Sequence, residues 1–397
     1  MKKLLAVLLA AVVGLGLAQE QVTIGILSPL TGGAAGTGLA QRAGFELALA
    51  EINAAGGVLG QPLRIIIEDD RADPATSVAA FEKLMTEDGV EFIAGGFASG
   101  ATLALVESFR TFQPIVSWIG GASSGIGNDD FEGIEELLGE EEWFFHVHPW
   151  DYQNVEATFG FIEDLGVGSV ALLHEDGAFG TPGAAGLEAG VEQMGIPVVL
   201  REAFTSTLTG GTGDFRATLS KVGAANPDML YWIGYDSDAQ PLSSQLKELG
   251  VAPAYVFGAP PGWPTGIEAA PEMECVMGLI GYLPNLPNPE AVAFANAYRE
   301  MHGAYPDNYM AALAYAQLWS YADAINAAGT TDQAAVIEQL KTMTFRSPMG
   351  DWSFKPSVQA KHQGFGSDMW LVFQFQNGVR EIVWPADRAT APLAACR

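Results

Sequence analysis

Short β-rich runs alternate with longer stretches whose apolar residues recur every three or four positions. Residues 22–27 (Val-Thr-Ile-Gly-Ile-Leu) read as a buried strand. The following helix, expected over 38–54, carries Phe45, Leu49 and Ile52 on one face with Ala48 between them. Asn53 and Gly56-Gly57 stop it. Strands at 63–68, 90–94 and 114–118 then alternate with a helix opening at Pro74 and another over 100–110. Such a β-α-β rhythm predicts a mostly parallel sheet with helices on both faces.

The rhythm breaks at 129–142, where Asp129, Asp130, Glu132, Glu135, Glu136, Glu140, Glu141 and Glu142 crowd together. This run reads as a solvated loop or short helix, since it lacks the alternating oxygen ligands and central glycine of a calcium loop. A second series starts near Asp151. It comprises helices at 152–165, 180–194, 214–223 and 237–249, and strands at 169–174, 197–200, 228–233 and 254–257. Helices follow at 288–302, 307–327 and 331–341, then strand-like pieces at 352–354 and 370–375. The late pieces are too few for a third domain and should complete the other two. The fold class expected is therefore α/β, with two doubly wound parallel-sheet lobes joined by a hinge of several crossovers. Lobe I is placed at 19–149 plus 281–346 and lobe II at 150–280 plus 347–397.

Composition narrows the setting. Lys2 and Lys3 precede the apolar stretch 4–17, and Gly16-Leu17-Ala18 supplies the small residues of a cleavage site. Residues 1–18 are thus expected to be a signal peptide, too short to span a bilayer. No cysteine follows the expected cut, so a lipid anchor is not anticipated. Loss of the leader removes two lysines and no acid, taking the formal charge from −28 to −30. Nucleic acids and anionic membranes select basic surfaces and are excluded as partners. Cys275 and Cys396 are the only cysteines, and in an oxidising compartment they form a candidate disulfide.

In open parallel sheets, ligands bind beyond the carboxyl ends of the strands. Three loops fit. In Gly95–Thr102, Ser99 stands at an expected N-cap, where free N–H groups and the helix dipole favour a carboxylate. Gly120-Gly121-Ala122-Ser123-Ser124 lets a ligand approach the backbone and offers hydroxyls. Gly177-Ala178-Phe179-Gly180 presents an aromatic face.

With these loops, an ordered set of segments carries a family resemblance. They are Ile26-Leu27-Ser28-Pro29-Leu30-Thr31-Gly32, Glu51-Ile52-Asn53-Ala54-Ala55-Gly56-Gly57 and Asp69-Asp70-Arg71-Ala72-Asp73-Pro74, then Asp151, Gly234-Tyr235 and Ser347-Pro348-Met349-Gly350. The chain resembles the type I periplasmic solute-binding proteins of ABC transporters, the family of the leucine/isoleucine/valine receptors and their amide-, urea- and aromatic-acid-binding relatives. The resemblance implies a hinged Venus-flytrap that closes on a small molecule and delivers it to ABC permease subunits from the periplasm, as a monomer and without a cofactor. It implies that Ser99, Ala122 and Ser123 hold a ligand carboxylate and that Phe179, Tyr235 and Asp151 border the pocket. The acid that grips the ammonium of amino acids in this family falls near Pro260, and Thr37 stands where an aromatic is usual. Asp151 or Asp236 would have to supply the counter-charge. The ligand expected is a branched-chain or related amino acid. The alternative is an amide, a urea-like compound or an aromatic or organic acid packed on Trp263 or Trp150.

Enzyme readings fit less well. Gly121-Ala122-Ser123-Ser124-Gly125 matches the G-x-S-x-G pattern, with His362 as a late base, but an acidic loop follows Ser123 where a nucleophile elbow needs a helix. His146-Val147-His148 places two imidazoles two apart with no third metal ligand evident. Gly210-Gly211-Thr212-Gly213 lacks the lysine of a phosphate loop. No catalytic residue, metal site or cofactor is expected.

Overall fold

The chain builds two separate sheets, seen in a computed structural model that describes residues 21–126, 132–260 and 262–395. The expected leader and Cys396 lie outside the described residues, as do positions 127–131, which include Asp129 and Asp130 of the acidic segment. Cys275 is disulfide-bonded.

In the first lobe β1 (Thr23–Ser28) leads through α1 (Ala35–Ala54) to β2 (Arg64–Asp69), α2 (Pro74–Thr86), β3 (Phe92–Gly95), α3 (Ser99–Phe112) and β4 (Ile115–Trp118). A short α4 (Ile134–Leu138) precedes β5 (Phe144–His146). The strands are parallel in the order β2-β1-β3-β4-β5. The order reverses between β1 and β3, so the loops leaving these two strands flank a natural binding crevice.

The second lobe starts with α5 (Asp151–Leu165) and continues through β6 (Val170–Glu175), α6 (Gly180–Gln193), β7 (Val198–Phe204), α7 (Arg216–Ala225), β8 (Met229–Ile233), α8 (Asp236–Glu248), β9 (Tyr255–Gly258) and β10 (Met277–Ile280). The chain then returns to lobe I with α9 (Pro289–His302), α10 (Met310–Ala328) and α11 (Gln333–Thr342), and α10 packs along α1 and against β3. Finally β11 (Leu371–Gln376) and β12 (Val379–Trp384) complete the second sheet, ordered β12-β11-β10-β9-β8-β6-β7.

Close packing of α1 on α10 depends on Gly44, where a Cβ would stand 2.1 Å from the Ala311 carbonyl oxygen. α10 also stitches the loop ends of the first sheet. The Gln317 side chain accepts the Gly95 N–H at 3.1 Å and donates to the Ser117 carbonyl. The Tyr321 hydroxyl lies 2.8 Å from the carbonyls of both Ile93 and Ile115. These bonds satisfy buried backbone groups beside the crevice.

The hinge is a paired ribbon. The segment leaving β5 runs beside 362–366, with His146 N–H on the His362 carbonyl at 2.9 Å and Phe365 N–H on the Val147 carbonyl at 2.9 Å. Gln363 adds a side-chain bond to the His148 carbonyl at 2.9 Å.

Both sheets are mostly parallel, as expected; at the margin of the second, β11 pairs antiparallel with both β10 and β12. Two sequence expectations need correction. β10 and β12 were not anticipated, nor was β5 as a sheet strand. Residues 352–354 form no strand; Trp352 makes an isolated bridge to Phe345, within an aromatic group that includes Phe354.

Candidate ligand-binding cleft

Two small cavities, of about 20 and 10 Å³, share His148 and Phe179 as a common wall; the smaller lies between the lobes and the larger beside it within lobe II. The smaller is bounded by Phe97, Ser99, Gly120, Gly121, Ala122 and Met310 from lobe I, and by Phe179 and Tyr235 from lobe II. Its lobe I side brings the start of α3 and the Gly120-Gly121-Ala122 loop to the cavity. Ser99 is the first residue of α3 rather than its cap; Ala98 caps in extended conformation, with no side-chain bond. The first N–H to find a helical acceptor is that of Thr102, on the Ala98 carbonyl at 3.0 Å. The N–H groups before it form the electropositive end of the helix. Across the cleft the Tyr235 hydroxyl lies beside the Ser99 N–H. Burial is the larger influence on this phenol, and it holds the pKa well above the usual value, so the group stays protonated.

Two glycines shape the backbone at this end, each with a positive φ and no room for a Cβ. Gly96 has φ +93° and lies flat on Trp118, where a Cβ would meet the ring at 2.1 Å. The Trp118 indole donates in turn to the Thr102 hydroxyl at 3.0 Å. Gly121 has φ +68°, and its N–H bonds the Phe97 carbonyl at 2.6 Å.

The larger cavity is mostly apolar, walled by Val155, Ile233, Ala259, Pro260, Leu279 and Trp370, with Asp151, Asn154 and His148 at its edge. Asp151 ties the hinge to the polar loop. Its N–H bonds the Ala122 carbonyl at 2.8 Å, Oδ2 accepts Ser124 N–H at 3.1 Å and Oδ1 accepts Tyr152 N–H at 2.7 Å. Burial outweighs these donors and pushes its pKa up to about 7.

His148 Nδ1 lies 2.7 Å from the Pro149 carbonyl, which only accepts, so this nitrogen carries the proton. Nε2 then accepts the Tyr309 hydroxyl at 2.9 Å. Burial, with His146 nearby, pulls the His148 pKa down to about 3, so the ring presents no cation. Neither set of lining residues includes Lys or Arg. A ligand anion would therefore be met by backbone dipoles.

The expected residues divide as follows. Ser99, Ala122, Phe179 and Tyr235 line the smaller cavity; Asp151, Phe179 and Pro260 line the larger one. Ser123 is fully buried with an unpartnered hydroxyl and lines neither cavity. Trp263 is a correction. Its ring sits in the lobe II core at 5.3 Å from both Phe373 and Phe375, with its N–H on the Leu279 carbonyl at 3.3 Å. Trp150 likewise faces away, stacked on His146 at 3.6 Å. His362 stacks on Phe145 at 4.4 Å and lines neither cavity. Among the described residues no group of three or more metal-ligating side chains occurs.

Sequence reasoning missed His148, Asn154, Met310 and Trp370 as lining residues. Trp370 donates its N–H to Asn154 at 2.9 Å, a partner 216 positions away, and carries no local signal.

Comparison with known proteins gives consistent findings. A family model described as periplasmic binding protein matches residues 21–378. The amino acid binding protein of Pseudomonas aeruginosa is 28% identical over 370 residues, covering 90% of this chain and 93% of the relative. The leucine-, isoleucine-, valine-, threonine-, and alanine-binding protein of the same organism is 26% identical over 367 residues, covering 92% and 94%. Among solved structures, a leucine binding protein from Thermotoga maritima superposes with a TM-score of 0.76 at 22% identity, covering 91% of this chain and 97% of that one. A solute binding protein from R. palustris in complex with benzoate gives 0.78 at 18% identity, covering 95% and 98%.

Proposed function

The chain belongs to the periplasmic binding protein family, and from that premise we propose that it is the receptor of an ABC importer for an amino acid with an apolar side chain. The protein binds its solute rather than converting it. One observation carries the ligand reading: the open N-terminus of α3 in lobe I faces Phe179 and Tyr235 of lobe II across a single crevice. The α3 N–H groups and the Gly120-Gly121-Ala122 loop take the carboxylate, while the wall formed by Val155, Ile233, Leu279 and Trp370 takes the side chain. A ligand that touches both lobes favours the closed arrangement, because only contacts made in one state and not the other shift an equilibrium. The receptor works outside the cytoplasm after loss of residues 1–18, as a monomer, and hands its solute to permease subunits.

A second reading, an aromatic acid, draws on the rings of Phe97, Phe179, Tyr235, His148 and Trp370 around the cavities. Thermal shift and calorimetry with leucine, isoleucine, valine and alanine, against benzoate and 4-hydroxybenzoate, separate the two. Saturation at 100 times Kd stabilises the folded state by about 2.7 kcal/mol, a readily measured shift. The amino acids are expected to produce it. A response to the aromatic acids alone selects the second reading, and silence from every compound refutes both.

A further inference from the structure

The larger cavity is apolar except along one edge, where His148, Asp151 and Asn154 meet it. Two of these are already committed. Both ring nitrogens of His148 are bonded, one to the Pro149 carbonyl and the other to the Tyr309 hydroxyl. Each carboxyl oxygen of Asp151 accepts a main-chain N–H. Asn154 differs. It lies one turn further along α5, is only 9% exposed, and engages its oxygen alone, with the Trp370 N–H at 2.9 Å.

That bond fixes which way the amide points. An indole N–H can only donate, so Oδ1 must face Trp370 and Nδ2 must be the opposite end. Trp370 is itself held edge-on to His148 and Tyr309, with ring centres 5.6 and 5.2 Å away. Among the described residues Nδ2 has no acceptor. A buried donor without an acceptor gives up its hydration for nothing, and such groups are rare in native proteins. The cavity also has room to spare. Gly183 of α6 lines it, and a Cβ there would make ordinary contact with Ile233 Cδ1 at 3.4 Å and Asp151 Cβ at 3.9 Å. Neither a clash nor a positive φ calls for glycine at this position, so what the missing side chain leaves is space inside the cavity.

We propose that Asn154 is a specificity-determining residue, whose Nδ2 donates to a hydrogen-bond acceptor on the part of the solute that enters this cavity. The assignment deepens the amino-acid reading above and rests on it. The class it selects is an amino acid whose otherwise apolar side chain carries one oxygen acceptor. A hydrocarbon side chain of the same shape fills the same space and leaves the donor unpaired.

Calorimetry with two isosteric pairs tests it: norvaline against O-methyl-L-serine, and norleucine against O-methyl-L-homoserine. Within each pair one methylene is replaced by an ether oxygen. Wild type is expected to prefer the ether in at least one pair by about 3- to 10-fold, the range of a net hydrogen bond. Asn154→Leu should erase that preference. Gly183→Ala keeps the amide but fills part of the cavity, and should weaken both members of the preferred pair by roughly 10-fold. Its unliganded melting temperature should not fall, because alanine suits a helix better than glycine. Equal affinities within both pairs, a preference that survives Asn154→Leu, or undiminished binding by Gly183→Ala would each overturn the assignment while the receptor reading stands. If wild type binds no amino acid at all, the amino-acid reading falls, and this assignment with it.

Discussion

At the scale of single residues, Asp151 joins hinge and pocket, and its chemistry is readable through pH. Its folded pKa of about 7 lies above that of a free carboxyl, so the folded chain holds the proton more tightly than the unfolded one. The stability this contributes is fully present below about pH 4 and is lost as pH rises through about 7. Asp151→Asn keeps the neutral form at every pH. Its unfolding free energy, relative to wild type, should therefore climb between pH 4 and 8, by an amount on the order of 4 kcal/mol. A constant difference across that range would show that the carboxyl is not strained by burial. Residues of this kind were legible where they follow a strand end, as Ser99, Ala122 and Tyr235 do, because topology alone sends those loops toward the crevice. Trp263 misled because a Pro-Gly-Trp loop does not reveal which side of the sheet its ring will face. The ring found a core of Phe373 and Phe375 more than 100 positions later.

At the scale of elements, the α1–α10 contact is the tightest joint in lobe I. Gly44→Ala forces a methyl into the space of the Ala311 carbonyl and must push the two helices apart. Urea unfolding should report a loss of about 1–3 kcal/mol, the usual cost of overpacking. An unchanged midpoint would mean that the helices have slack. Helices and central strands were legible because long periodic or uniformly apolar segments identify themselves. The short strand β10 and the marginal strand β12 did not. β10 has only four residues, one a glycine, and β12 interleaves Arg380 and Glu381 with its apolar positions because it closes the sheet at its margin. The pair at 352–354 read as strand because Trp and Phe favour pleated surfaces, whereas here they stack on Phe345 and Phe365 without a partner strand.

At the scale of the whole molecule, the lobes meet through Asp236 with Thr37 and through the Phe97 and Tyr235 rings at 6.0 Å. Without added solute, Thr37→Val should shift the population toward open forms, seen as a larger radius of gyration in X-ray scattering. Equal profiles for the two proteins would place the latch elsewhere. Among the described residues the chain passes between the lobes three times, after β5, after β10 and after α11. This interleaving also governs how the molecule can come into being. A ribosome would release all of β1 to β5 long before α10 exists to cover them, and β6 to β10 long before β11 and β12 arrive. For most of its synthesis, then, the growing polypeptide has no finished half in which to settle. Either half can therefore finish folding only once α10, and then β11 and β12, have been made.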